Sequence, residues 1–201
     1  METQKKYLIT GATGKTGGHA VRELLSKGAQ VRALVHKLDD RSRKLEELGV
    51  EIVQGDLLDF NSVSAALKGI SGVYFVYSIQ VPGILTATSY LIQAAREQGV
   101  ESIVNMSQKS ARREAKSHAA QDHWMAERML DLSGLKVTHI RPTFFAEWLI
   151  YFDSIKKADK IVLPFGEGRY APIAAEDQGR VIANLLLNPD PHNGKVYPLY
   201  G

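Results

Sequence analysis

The 201-residue chain contains no cysteine. That absence excludes disulfide scaffolds, thiolate zinc centres, iron–sulfur clusters and cysteine nucleophiles. Long apolar runs are missing too: no stretch approaches the roughly 20 residues that a membrane span needs. The opening METQKKYLIT lacks the apolar core of a secretory signal and runs straight into a strand-like segment, so the cytoplasm is the expected compartment. Proline is scarce, at 7 residues, and no Pro/Gly-rich or low-complexity stretch divides the chain. Nor is there much charge of one sign: 25 basic residues stand against 22 acidic, a net +3. Lys109, Arg112, Arg113 and Lys116, opposed by Glu114 alone, make a local surplus of that same size. A nucleic-acid binder spreads its basic face over more of the chain, so this surplus points to a small anionic ligand instead.

With 44% hydrophobic and 23% charged residues, the composition is that of a globular protein. Strand and helix patterns alternate from the start. KKYLIT (5–10), QVRALV (30–35), EIVQ, GVYFVYSI (72–79), ESIVNMS (101–107) and LKVTHIRP (135–142) read as strands. Between them lie helical patterns, the first ended by Gly28, the second by Gly49 and a later one by Gly99. Such alternation predicts a parallel, doubly wound α/β sheet with helices on both faces. Residues 1–142 read as one such domain, and 143–201 as a segment that continues it and forms part of a substrate pocket. In that segment TFFAEWLIYF reads as a buried helix or a pocket lid, EDQGRVIANLLL as a helix and GKVYPLYG as a last strand.

Gly11-Ala-Thr-Gly14-Lys-Thr-Gly17-Gly18 lies between the first strand and the first helix. In that position the glycines have separate tasks: Gly11 permits the tight turn, Gly14 lets backbone approach a pyrophosphate, and Gly17 lets the helix pack close to the sheet. The helix N-terminus adds free N–H groups and the positive end of its dipole. Lys15 is not preceded by the spacing of a P-loop. About 20 residues on, an acid would select a ribose hydroxyl and NAD. This strand instead ends Val35-His36-Lys37, with Arg41 and Arg43 close behind, which together with Lys15 favours the 2′-phosphate of NADP(H). The plainer reading is a solvated charged loop containing Asp39 and Asp40. Asp56 and Leu57 follow the third strand, beside the expected adenine pocket, where Asp56 either accepts from the adenine amine or caps a turn. Tyr77, Ser78 and Gln80 would border the nicotinamide ribose, and Ser107 holds the equivalent place on the fifth strand.

These segments together resemble the atypical short-chain dehydrogenase/reductase family of NmrA-like proteins. The matching residues are GATGKTGG, VRALVHK, GDLLD, His123-x-x-x-Glu127, SGLKVTHIRPTFF and APIAAEDQGRVIANLLLNP…GKVYPLYG, which cover nearly the whole chain. The pattern is most similar to second-type NAD(P)H:quinone oxidoreductases and to dye or azo reductases. The resemblance implies a Rossmann-type sheet with an incomplete or missing small C-terminal substrate lobe, because relatives commonly continue beyond the position of Gly201. It implies a cofactor held by Gly11, Thr13, Gly14, Lys15, Thr16, Gly17, His36, Lys37, Asp56, Leu57, Tyr77, Ser78, Ser107, Pro142 and Thr143. It also sets His123 near the cofactor, with Ser107 as its companion in any chemistry. Family members often end their second strand with arginine where this chain has His36. NmrA itself is a cofactor-sensing regulator, so the resemblance admits a non-catalytic NADP(H) sensor with a protein partner, and a homodimer, beside a reductase.

No tyrosine is followed four residues later by lysine, so the acid dyad of ordinary short-chain dehydrogenases is absent. Gly-x-Ser-x-Gly is also missing, as is any HExxH-like zinc spacing. Ser107, Lys109, His118, His123 and Glu127 remain near the expected nicotinamide face, where His123 and Glu127, four apart, share a helix face. The plainer reading of that pair is a hydrogen bond that steadies the helix. Hydride transfer without a strong acid suits acceptors that stabilise their own charge, such as quinones and dyes. Phe144, Phe145, Trp148, Tyr151 and Phe152 offer an apolar wall for a flat acceptor, or simply core.

Overall fold

The computed structural model describes residues 5–78, 82–151 and 167–201, with backbone only for Tyr151. Seven strands form one sheet: β1 (Lys6–Thr10), β2 (Gln30–Val35), β3 (Glu51–Gln54), β4 (Gly72–Phe75), β5 (Ser102–Met106), β6 (Lys136–Pro142) and β7 (Val196–Leu199). All pairings are parallel, in the order β3-β2-β1-β4-β5-β6-β7. The helices are α1 (Lys15–Ser26), α2 (Asp40–Glu46), α3 (Phe60–Leu67), α4 (Ile84–Gln98), α5 (His118–Asp131), α6 (Trp148–Tyr151) and α7 (Ala175–Leu187). The chain leaves β1 toward β2 but later returns to β4 on β1's other side. This reversal opens a crevice at the strands' carboxyl ends. The expected Rossmann-type doubly wound sheet is therefore the fold.

Side chains alternate across the sheet, giving two cores. Tyr7, Ile9, Tyr74, Val104 and Ile140 pack with α1 and α7 on one face. Leu8, Val73, Phe75, Ile103 and Val137 pack with α3, α4 and α5 on the other. Short acids define two helix starts: Asp39 accepts from the backbone N–H groups of Arg41 and Ser42, and Asp59 from those of Asn61 and Ser62. Among the described residues no helix is long and apolar enough to cross a membrane.

Two elements differ from the sequence expectation. The fourth strand stops at Phe75, short of the expected 72–79. There the Thr10 side chain replaces the ladder, its Oγ1 accepting from Val76 N–H at 2.8 Å and lying 3.2 Å from the carbonyls of Tyr74 and Val76. Among the described residues of TFFAEWLIYF, the WLIY portion alone is helical. Before that its backbone is drawn into a parallel bridge, Phe145 opposite Ile173, with Ile173 N–H donating to the Phe144 carbonyl and Ala146 N–H to that of Ile173.

Candidate functional site

The loop after β1 enters the crevice through Gly11, whose φ of 61° is a left-handed value that favours glycine. Gly14 N–H donates to the Gly11 carbonyl at 2.9 Å, closing the turn. A Cβ on Gly17 would lie 2.4 Å from that carbonyl oxygen, so close packing of α1 on the loop requires glycine there. Gly14 is different. Its φ of −84° suits any residue, and a Cβ would meet only the Gly11 oxygen, at 3.1 Å. The need for glycine at position 14 thus comes from whatever approaches the exposed backbone. Gly14 also begins α1 without a side-chain cap, and no acid stands in the first turn. The leading N–H groups of α1 are left for an anion, unlike those of α2 and α3. This cradle fits a dinucleotide pyrophosphate. Thr13 is half-buried beside it, Lys15 is exposed, and Thr16 is buried in the first turn.

From the loop a groove of about 1010 Å³ runs between α1 and α2, with Lys15, His19, Arg22, Arg41 and Lys44 along it. The cations that drew attention in the sequence are unequal. Arg41 donates from Nε and Nη2 to Asp39, which holds the Asp39 carboxyl below its usual range, and Arg43 pairs with Asp40. Asp39 and Asp40 are therefore not idle loop charges but partners of these arginines. Lys37 is exposed and has no acid partner among the described residues. The exposed His36 has its Nδ1 3.9 Å from Asp56. Asp56 also accepts from Leu58 N–H at 2.9 Å, the turn-capping role, and Leu57 packs against the α3–α4 core.

On the other side of the crevice, Ser107 and His123 are both buried, at 4% and 3% exposure. Glu127 lies one turn beyond His123 on α5 and is fully buried. It receives a two-pronged contact from Arg141 on β6, Nε to Oε1 at 2.8 Å and Nη2 to Oε2 at 2.5 Å. Burial alone would raise the Glu127 pKa; Arg141, with help from the Ser107 hydroxyl and His139, outweighs it and lowers the value. The expected His123–Glu127 hydrogen bond is not formed. Neither ring nitrogen of His123 has a partner among the described residues. Burial lowers its pKa, only partly offset by Glu127 and Asp122, so the imidazole stays neutral near pH 7. Beside this pair, His139 Nδ1 lies 3.0 Å from the Asn105 amide nitrogen and its Nε2 3.0 Å from Asp131.

Tyr77 reaches the α3–α4 core, and its hydroxyl donates to the Pro82 carbonyl, so it offers the crevice backbone rather than phenol. Ser78 stands exposed just after it, while Gln80 lies outside the described residues. The Pro142 carbonyl accepts from Lys109 N–H at 3.3 Å, and Thr143 is tied by its N–H to Leu199 and by Oγ1 to Ala171. Lys109 stacks on the Tyr200 ring, 4.4 Å from its centroid, and His118 is exposed at the start of α5. Trp148 meets Phe144 edge-on and Phe145 at a tilt, each at 5.0 Å between centroids. Phe145 borders the core, whereas Trp148 is 41% exposed, so this cluster is part core and part open wall. Phe152 and the Tyr151 side chain lie outside the described residues.

Sequence reasoning missed Arg141 and Gly179. Arg141 lies in LKVTHIRP, a segment already read as a strand of the sheet, where a charge calls for an acid partner, and that signal was available. Gly179 carried none: it is small because α1 crosses α7 there, a Cβ falling 2.5 Å from that of His19.

A family model described as NAD(P)H-binding matches residues 11–189. The NAD(P)H azoreductase of Xenophilus azovorans is 30% identical over 197 residues, 96% of this chain and 67% of that protein. Quinone oxidoreductase 2 of Escherichia coli (strain K12) is 26% identical over 196 residues, 96% of this chain and 68% of that one. Among solved structures, an NADPH-dependent quinone oxidoreductase from Escherichia coli complexed with NADPH matches with a TM-score of 0.84. It is 26% identical and covers 97% of this chain and 69% of its own. The chain thus spans about two thirds of the length of these relatives. Because the family match takes in the glycine loop, the groove and the Ser107–His123 side of the crevice alike, the chain belongs to the NAD(P)H-binding family.

Proposed function

We propose that this protein uses NADPH, in preference to NADH, to reduce a flat acceptor of the quinone or dye type. The observation that carries the acceptor class is the want of a strong proton donor. No tyrosine has a lysine four residues on, and His123 is buried and neutral. The bound cofactor supplies the hydride. A quinone that accepts it becomes a hydroquinone anion and takes its proton from solvent, whereas a simple ketone would become an alkoxide that needs an acid at once. The α1 N-terminus and Gly14 hold the pyrophosphate, with Thr13, Lys15, Thr16 and Gly17 around it. Neutral His123 and Ser107 position the nicotinamide end, and Phe144, Phe145 and Trp148 supply the apolar wall. The azoreductase and quinone oxidoreductase relatives support the same acceptor class.

NADPH oxidation is expected with naphthoquinone and to be far slower with a simple ketone. His123→Ala should lower turnover only a few-fold, on the order of 10-fold at most, as for a positioning group rather than a proton donor. The rate should show no imidazole titration near pH about 6.5, since burial depresses that pKa. Protein that binds NADPH with ordinary affinity yet oxidises it with no quinone or dye would overturn this reading in favour of a cofactor sensor acting on a protein partner.

NADPH should also bind more tightly than NADH. With Arg41 and Arg43 already paired to Asp39 and Asp40, the 2′-phosphate is left to Lys37 and the remaining groove cations. One charge-assisted contact of about 1.5–3 kcal/mol corresponds to roughly a 10- to 150-fold preference. Titrations at rising salt should show that preference erode. Equal affinities at low salt would mean that only the ribose hydroxyl is read.

A further inference from the structure

Apart from Lys109, the basic surplus noted in the sequence takes no part in the proposed cofactor site, and the fold sets it just beyond the carboxyl end of β5. It lies in the connection from β5 to α5, between Ser107 and the helix that carries His123. This connection is built rather than loose. Gln108 donates through Nε2 to the Ala119 carbonyl at 3.0 Å, Ala111 N–H to Gln108 at 3.0 Å, and Lys109 N–H to Pro142 at 3.3 Å. Ala111 and Ala115 are buried, at 2% and 5% exposure, and pin the segment inward. Arg112, Arg113 and Lys116 stand exposed between and beside them.

None of these three cations has an acid partner among the described residues. Glu114, the one acid in the segment, forms no ion pair there. By contrast Arg32, Arg41, Arg43, Arg128, Arg141 and Arg180 each meet a carboxylate. Three cations against the single Glu114 leave the pinned loop with a net positive charge that concentrates anions at the carboxyl-end mouth of the crevice. A guanidinium fork suits the planar or tetrahedral oxygens of a carboxylate, sulfonate or phosphate.

We propose that the acceptor carries an anionic substituent, held by Arg112, Arg113 and Lys116 while its flat ring points toward Ser107 and His123. This rests on the reductase reading and narrows its substrate class. The test compares naphthoquinone with its sulfonate, using wild-type protein and a triple variant, Arg112→Ala, Arg113→Ala and Lys116→Ala. For the sulfonate, KM should rise about tenfold in the variant and in wild type at high salt, while for naphthoquinone it should stay within about twofold. A binding arm needs no turnover: naphthalene sulfonate, titrated calorimetrically into NADP⁺-saturated protein, should bind the variant about tenfold more weakly than wild type. Silence toward every quinone together with this loss would overturn the reductase reading and keep the anion site. Equal naphthalene sulfonate affinity in both proteins, no binding to either, or a loss confined to single-stranded oligonucleotide would overturn the proposal.

Discussion

Replacing Gly14 with valine is expected to abolish dinucleotide binding in a protein that remains folded. Position 14 has an ordinary extended backbone, and an added Cβ meets nothing closer than the Gly11 oxygen at 3.1 Å. The side chain therefore projects into the space in front of the α1 N-terminus, where a pyrophosphate must reach the backbone N–H groups. A loss on the order of 100-fold or more in affinity is the expected size. Circular dichroism should show the wild-type fold, and calorimetry with NADPH should show no binding. Gly17→Val is the contrasting case: its Cβ would fall 2.4 Å from the Gly11 oxygen, so the loop or α1 must shift and stability itself should drop. Unchanged NADPH affinity in the Gly14 variant would mark the loop as a structural turn.

Arg141→Ala is expected to have the largest effect on stability. It leaves the fully buried Glu127 carboxylate without its two-pronged partner, with Arg128 Nη2 3.6 Å away as the nearest other cation. Breaking a buried pair from one side costs about 3–5 kcal/mol. At about 2–4 °C per kcal/mol for a chain of this size, Tm should fall on the order of 10 °C. The pH dependence has a definite sign. In the wild type the folded-state pKa of Glu127 is depressed. The pair's contribution is therefore complete above the unfolded value of about 4.3 and is lost as pH falls through the folded value. In the variant, burial pushes the same pKa upward, so its deficit should grow from acid pH to neutrality. Adding Glu127→Gln should recover much of the loss at pH 7 and little of it at low pH. Thermal melts that show a deficit independent of pH would mean that Arg141 acts through packing alone.

The alternation of strand-like and helical patterns was enough to read a parallel doubly wound sheet, because central strands such as β1 and β4 are buried along almost their whole length and the patterns of α1, α2 and α4 end at glycines. The Gly11–Gly18 loop was legible for the same reason: tight turns and close backbone approaches admit few residue types, so their chemistry is written locally. The lack of a Tyr-x-x-x-Lys dyad likewise needed no coordinates. The spacing of charges along the chain did not show which of them are already paired; the folded geometry did. Arg41 and Lys37 are both cations near the end of β2, but only a helix start capped by Asp39 takes Arg41's guanidinium, a contact set by side-chain geometry. His123 and Glu127 are neighbours on α5 in any helical reading. Yet β6 beside β5 brings Arg141 to Glu127 and leaves His123 buried without a hydrogen-bond partner among the described residues. Pairings across a sheet depend on strand order and register, and these are fixed by the packing of both faces rather than by local spacing.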